Sequence, residues 1–178
     1  MKKLFIILVS SIIILSYLSI IKVNNDQQLN SIITNFKIRK INKDNNIIGS
    51  LKIKKLNINE NLYKINSEDN NVDKHVTILK ESILPENDNS IVFIAAHSGT
   101  GEIAYFKNLN LLEENDIINL ELNNKKYIYT VKSIWEEPKN GYINVNKENE
   151  KQLILTTCSP TNNRKQLIVN CIEKESNQ

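Results

Sequence analysis

From Ile47 onward, the apolar residues of this 178-residue chain recur in short runs with a period of two. Ile48-Gly49-Ser50-Leu51-Lys52-Ile53 alternates apolar and polar positions, and Leu56, Ile58 and Leu62 continue in the same manner. Successive side chains of an extended strand point to opposite faces, so this pattern suits half-buried strands and not helices. Further runs span Val76 to Leu79, Ile117 to Leu122, Tyr127 to Val131, Leu153 to Thr157 and Leu167 to Ile172. The run Ile91 to Ala96 is apolar throughout, which predicts a strand buried on both faces. Asn123-Asn124 between two runs is a hairpin signal, and Pro85 to Asn89 is a turn cluster. Gly49, Gly99, Gly101 and Gly141 fall at or near strand ends, where they serve turns. Only Ala104 to Leu109 reads as a helical turn. About eight strands with little helix predict a mainly β fold, closed into a barrel over residues 47–178.

The N-terminus is different. Leu4 to Ile21 is an uncharged run of eighteen residues, flanked by Lys2 and Lys3 on one side and Lys22 on the other. As a helix it is about 27 Å long, enough to cross a hydrocarbon core. No small-residue cleavage site follows the run, so residues 1–22 read as an uncleaved signal anchor, not a signal peptide. The leading lysines keep the N-terminus cytoplasmic and put the rest of the chain outside, in a single pass of the cell membrane. Residues 23–46 read as a stalk, with Leu29, Ile32, Ile33 and Phe36 at helical spacing.

Charge supports this topology. Lys+Arg number 23 against Asp+Glu 20, and three of the lysines frame the apolar run, leaving the remainder balanced at twenty each. A neutral body has no electrostatic footprint for nucleic acid. The abundance of 29 Asn and 29 Ile fits AT-rich codon usage, and the Asn residues are scattered, not clustered.

Two His, two Cys and two Arg make up the scarce reactive residues. His97 closes the run Ile91 to Ala96 and opens the loop Ser98-Gly99-Thr100-Gly101. Cys158 closes Leu153 to Thr157, and Arg164 follows six residues later. A strand fixes the Cα of a residue at its end while the loop beyond leaves the side chain accessible. Cys, His and Arg together suit acyl transfer: a thiolate nucleophile, an imidazolium acid and a guanidinium for the oxyanion or substrate backbone. Other readings stand beside this one. An exported protein can oxidise Cys158 and Cys171 to a disulfide, which would make it a non-catalytic binding module. A zinc site from His75, His97, Cys158 and Cys171 has the ligand count but no compact zinc spacing. His75 beside Lys74 reads as a surface or turn residue, and Cys171 as a small core residue of the last strand.

Several segments resemble the sortases, the membrane-anchored cysteine transpeptidases of Gram-positive bacteria. Ile48-Gly49-Ser50-Leu51-Lys52-Ile53-Lys54-Lys55-Leu56 is similar to the opening strand motif, with Lys54 where the family has Pro. Ile94-Ala95-Ala96-His97-Ser98-Gly99 is similar to the histidine motif. Tyr105 to Leu109 and Glu114-Asn115-Asp116 resemble the helical turn and the start of the strand after it. Leu155-Thr156-Thr157-Cys158 is similar to the TLxTC motif, with Ile154 at its leading Thr. The resemblance runs from Ile48 to Ile172.

It implies a sortase-like barrel with Cys158 as nucleophile and His97 as general acid. Thr157 and Ser98 would lie against substrate or help shape the oxyanion site. The family arginine opens the last strand, where this chain has Gln166, and Arg164 lies two residues earlier on the same side of an extended strand. We assign the role to Arg164, with Gln166 as the alternative donor. The implied reaction is cleavage of an LPxTG-like sorting signal on a surface protein, then transfer to an amine of a cell-wall precursor or a pilin. A thiol peptidase that hydrolyses its own acyl-enzyme is a related reading. No metal or cofactor is expected.

Overall fold

A computed structural model describes residues 21–34 and 46–174. All but the last residue of the expected membrane run lies outside the described residues, and no described helix is long and apolar enough to cross a membrane. Residues 21–34 form a helix, α1, on which Leu29, Ile32 and Ile33 are exposed; Phe36 lies outside the described residues. Chain contacts separate Asn45–Gln178 as a unit of its own.

The described residues of the body form eight strands: β1 (Ile47–Ile53), β2 (Ile58–Tyr63), β3 (Thr77–Ile78), β4 (Ile91–Ala95), β5 (Ile117–Leu122), β6 (Lys125–Pro138), β7 (Gln152–Cys158) and β8 (Lys165–Glu173). They form one sheet in the order β2-β1-β5-β6-β8-β7-β4-β3. Its two edges, β2 and β3, come back into contact, so the sheet is a nearly closed barrel. Every pairing is antiparallel except β4 with β7. The barrel interior holds Leu51, Leu62, Ile94, Phe106, Leu120, Tyr129, Leu155 and Val169, all fully buried or nearly so.

Local chemistry explains the turns. Asn123 and Asn124 join β5 to β6 with φ of 50° and 63°, the left-handed pair that a two-residue hairpin requires and that Asn tolerates. Gly49 sits beside a bulge in the β1–β2 pairing, where an added Cβ would collide with the Glu121 carbonyl of β5.

Two expectations need correction. Ala104 to Leu109 is not a helical turn of its own. The segment is a chain of turns closed by Ala104 N–H to Gly101 O, Lys107 N–H to Ala104 O and Leu109 N–H to Phe106 O, leading into a 3-10 turn at Leu109–Leu111. It buries Ala104, Phe106 and Leu109 at i, i+2 and i+5, a pattern that a helix period does not fit. A second 3-10 turn, Lys54–Leu56, joins β1 to β2. Strand β4 is not buried on both faces: Val92 and Ile94 are sealed, whereas Ile91, Phe93 and Ala95 are only partly covered. The strand buried on both faces is its parallel neighbour β7, where every residue but Cys158 is buried.

Strand β6 runs well past the expected hairpin arm. Up to Val131 its odd-numbered residues face the core, with Tyr127, Tyr129 and Val131 buried. A bulge between Val131 and Ser133 then inserts one residue against β8. One extra residue reverses the alternation. Beyond it Ile134 packs on the core, and Trp135 and Glu137 belong to the outer face.

Candidate active site

The parallel pairing of β4 and β7 sets the site. Phe93 lies beside Ile154 and Ala95 beside Thr156. Continuing this register by two residues brings His97 beside Cys158, both on the outer face by parity. Two bonds carry the connection past the end of β4: Ala96 N–H donates to Thr156 O at 3.3 Å, and the Thr157 hydroxyl donates to Ala96 O at 2.7 Å. Thr157 is 6% exposed and faces inward, so its hydroxyl ties the two strands together.

Each sequence-selected residue has a definite position. Cys158 ends β7 half-buried, opposite Gln166 of β8. His97 is partly exposed, and its Nε2 lies 3.0 Å from Asp73 Oδ1 in the loop between β2 and β3. The His97 carbonyl accepts from Phe106 N–H at 3.0 Å, which fixes the backbone just before the glycine loop. Ser98 follows, half-buried, and leads to Gly99 with φ of 95°. Arg164 is exposed in the turn before β8; its N–H donates to Asn162 Oδ1 at 2.9 Å. No hydrogen bond or ion pair among the described residues involves its guanidinium. Gln166 donates from Nε2 to Glu137 Oε1 at 3.0 Å and to the Tyr142 carbonyl at 2.5 Å.

Cys171 is fully buried opposite Leu153, five residues before Cys158 along β7. At ~3.3 Å per residue the two cysteines are about 16 Å apart, more than twice the reach of a disulfide. Both are free thiols, so the binding-module reading based on their pairing fails. Burial pushes the Cys171 thiol far up from its ordinary range, which keeps it protonated and inert. His75 packs against Tyr63, with ring centroids 4.6 Å apart. Among the described residues no cluster of His, Cys, Asp and Glu could hold a metal ion.

Three residues of the site had no sequence signature. Asp73 approaches His97 from 24 positions upstream. Lys139, just after β6, donates from Nζ to Cys158 Sγ at 3.2 Å. Glu137, 7% exposed, accepts from Gln166 Nε2, from Asn144 N–H at 3.2 Å and from Asn144 Nδ2 at 3.0 Å. It thus fastens the loop between β6 and β7 to the outer face. A cleft of about 410 Å³ lies there, lined in part by Lys132, Trp135, Asn144 and Asn170. On the far side of Cys158, Ser159 organises the next loop. Its hydroxyl donates to Glu136 Oε1 at 2.6 Å and accepts from Thr161 and Asn162 N–H, both at 3.1 Å.

The sortase domain family matches residues 51–173. Solved structures agree with that match. Sortase C from Streptococcus pneumoniae is 25% identical, with 74% of this chain and 70% of that chain covered and a TM-score of 0.65. A lid mutant of sortase A from Corynebacterium diphtheriae is 22% identical, covering 74% and 72% with a TM-score of 0.64. Sortase C from Clostridium perfringens is 22% identical, covering 73% and 71% with a TM-score of 0.60. No curated protein sequence matches.

Proposed function

This chain belongs to the sortase family of cysteine transpeptidases, and from that premise we propose that Cys158 and His97 carry out transpeptidation on an LPxTG-like sorting signal. The observation that carries the reading is the β4–β7 register, which aligns the residue after Ala96 with the residue after Thr157.

In the first step the Cys158 thiolate attacks the carbonyl carbon of the Thr–Gly bond, and the carbonyl π pair moves to oxygen. Collapse breaks the C–N bond. The leaving amine takes a proton from the His97 imidazolium, and a thioacyl enzyme remains. An acceptor amine then attacks, gives its proton to the neutral imidazole and displaces the sulfur. Arg164, with Gln166 as the alternative donor, steadies the oxyanion or the substrate backbone. Asp73 holds Nε2 of His97, so proton exchange falls to Nδ1. Thr157 serves by holding the strands in register, and Ser98 lines the substrate side of the His97 loop. The substrates are surface proteins bearing a sorting signal, and the acceptor is a cell-wall precursor or pilin amine. Residues 1–22 anchor the chain, with the barrel outside the membrane.

The test is intact mass after mixing the protein with a Leu-Pro-Glu-Thr-Gly peptide. Wild type should gain the acyl mass and lose it to added hydroxylamine. Cys158→Ala should gain nothing, whereas Cys171→Ala should behave as wild type. Equal loss from both cysteine variants counts against the nucleophile, and a greater loss from His75→Ala than from His97→Ala counts against the acid. Product analysis with and without hydroxylamine separates transfer from hydrolysis.

A further inference from the structure

The cation in contact with the Cys158 sulfur is neither of the residues that the motif position suggests. It is Lys139, whose Nζ is 3.2 Å from Sγ. An ammonium group has only donors, so this contact requires the sulfur to accept, which a thiolate does best. The backbone holds Lys139 in this place. Its N–H donates to Arg164 O at 2.8 Å, one step beyond the Pro138–Lys165 pair. Asn140 N–H closes a turn onto Pro138 O at 3.0 Å. The β6 bulge supplies the direction. Without the extra residue, odd-numbered positions after Val131 would stay on the core face; with it, Glu137 and Lys139 share the face of Gln166 and Cys158.

Resting on the reading of Cys158 as the nucleophile, we propose that Lys139 is a further catalytic residue, holding the Cys158 sulfur as thiolate in the free enzyme. The charged groups around it have other commitments. From β6, Glu136 bonds Ser159 and lies 3.9 Å from Lys165, and Glu137 bonds Gln166 and Asn144. From the β4 side, His97 meets Asp73. At the head of β8, Arg164 remains for the carbonyl oxygen of the substrate. The labour is thus divided: the lysine serves the sulfur, and the arginine serves the oxygen. On acylation the sulfur loses its charge and Lys139 is released.

The test is the rate of Cys158 alkylation by iodoacetamide, located by peptide mapping, from pH 5.5 to 10. The thiolate sulfur forms the new C–S bond and iodide leaves, so the rate follows the thiolate fraction. In Lys139→Met the rate at pH 6.5 should fall about fivefold, the upper end for an exposed charge pair, and meet wild type by pH 10. Lys139→Arg should keep most of the wild-type rate at pH 6.5. An unchanged profile in Lys139→Met overturns the proposal. So does an equal fall at every pH, which would signal altered access and not altered ionisation. Peptide acylation by Cys158→Ala is scored separately: acylation without Cys158 removes the nucleophile assignment, whatever the alkylation profiles show.

Discussion

Replacing Thr157 with Val removes one buried hydroxyl and nearly nothing else. The lost bond, to Ala96 O at 2.7 Å, joins β4 to β7 at the point where the two strands lead into His97 and Cys158. Thr157 is 6% exposed, so water cannot easily take the place of the hydroxyl. A net hydrogen bond is worth about 1 kcal/mol, and a buried carbonyl left without its donor adds a similar cost, giving roughly 2 kcal/mol. A body of about 130 residues unfolds with an entropy near 0.27 kcal/mol/K, so the melting temperature should drop by about 7 °C. Catalysis should suffer more than stability does. A shift of about 1 Å between the proposed nucleophile and the proposed acid costs on the order of a hundredfold in rate. At 25 °C, where the variant remains folded, kcat for acyl transfer to hydroxylamine should therefore fall by one to two orders of magnitude. Thr157→Ser keeps the donor and should recover most of that activity. Calorimetry and steady-state assays on the three proteins decide the matter. An unchanged melting temperature in the Val variant, or a Ser variant as impaired as Val, would refute the bond as the tie that sets the site.

Two further outcomes follow from the core. Tyr129 is fully buried, and its hydroxyl has no partner among the described residues, so Tyr129→Phe should stabilise by about 1 kcal/mol in urea unfolding at pH 7. Burial, helped by the charge of Glu173, holds this phenol well above its ordinary range. It thus stays neutral in the folded chain while the unfolded chain ionises near pH 10. That contribution is intact below pH 10 and lost above it, so the advantage of Phe should widen by about 0.8 kcal/mol at pH 10.5; a constant difference would contradict the shift. Gly49→Ala forces β1 away from the Glu121 carbonyl and should cost about 1–3 kcal/mol by the same measurement, with a neutral result showing that the β1–β5 approach is slack.

What the sequence disclosed was local. Asn123-Asn124 reveals its hairpin because its backbone angles suit few residue types. His97 and Cys158 stand out because each ends an apolar run, and both runs are strands. What stayed hidden depends on neighbours distant in sequence. The run Ile91 to Ala96 gives no hint that its odd residues remain partly open, since that follows from what lies over the outer face. Lys139 is hidden by the bulge: counting in twos from Tyr127 assigns it to the core, and only the inserted residue turns it toward the sulfur. Asp73 reaches His97 through a loop whose course no periodicity encodes. Cys171 was readable as a core residue, and the β7–β8 register removes its pairing with Cys158.

The fastening of the β6–β7 loop by Glu137 limits how this barrel can be re-engineered or can diverge. The carboxylate belongs to the strand, whereas two of its donors belong to Asn144 of the loop. Grafting a foreign loop between 139 and 151 would leave a buried carboxylate short of donors, at a cost of several kcal/mol. The same carboxylate also holds Gln166, the register partner of Cys158, so the damage would not stay in the loop. Loop and strand residue therefore form one transplantable unit. A successful exchange must keep the Asn144 donors in the new loop, or replace Glu137 with an apolar residue that asks for no donors.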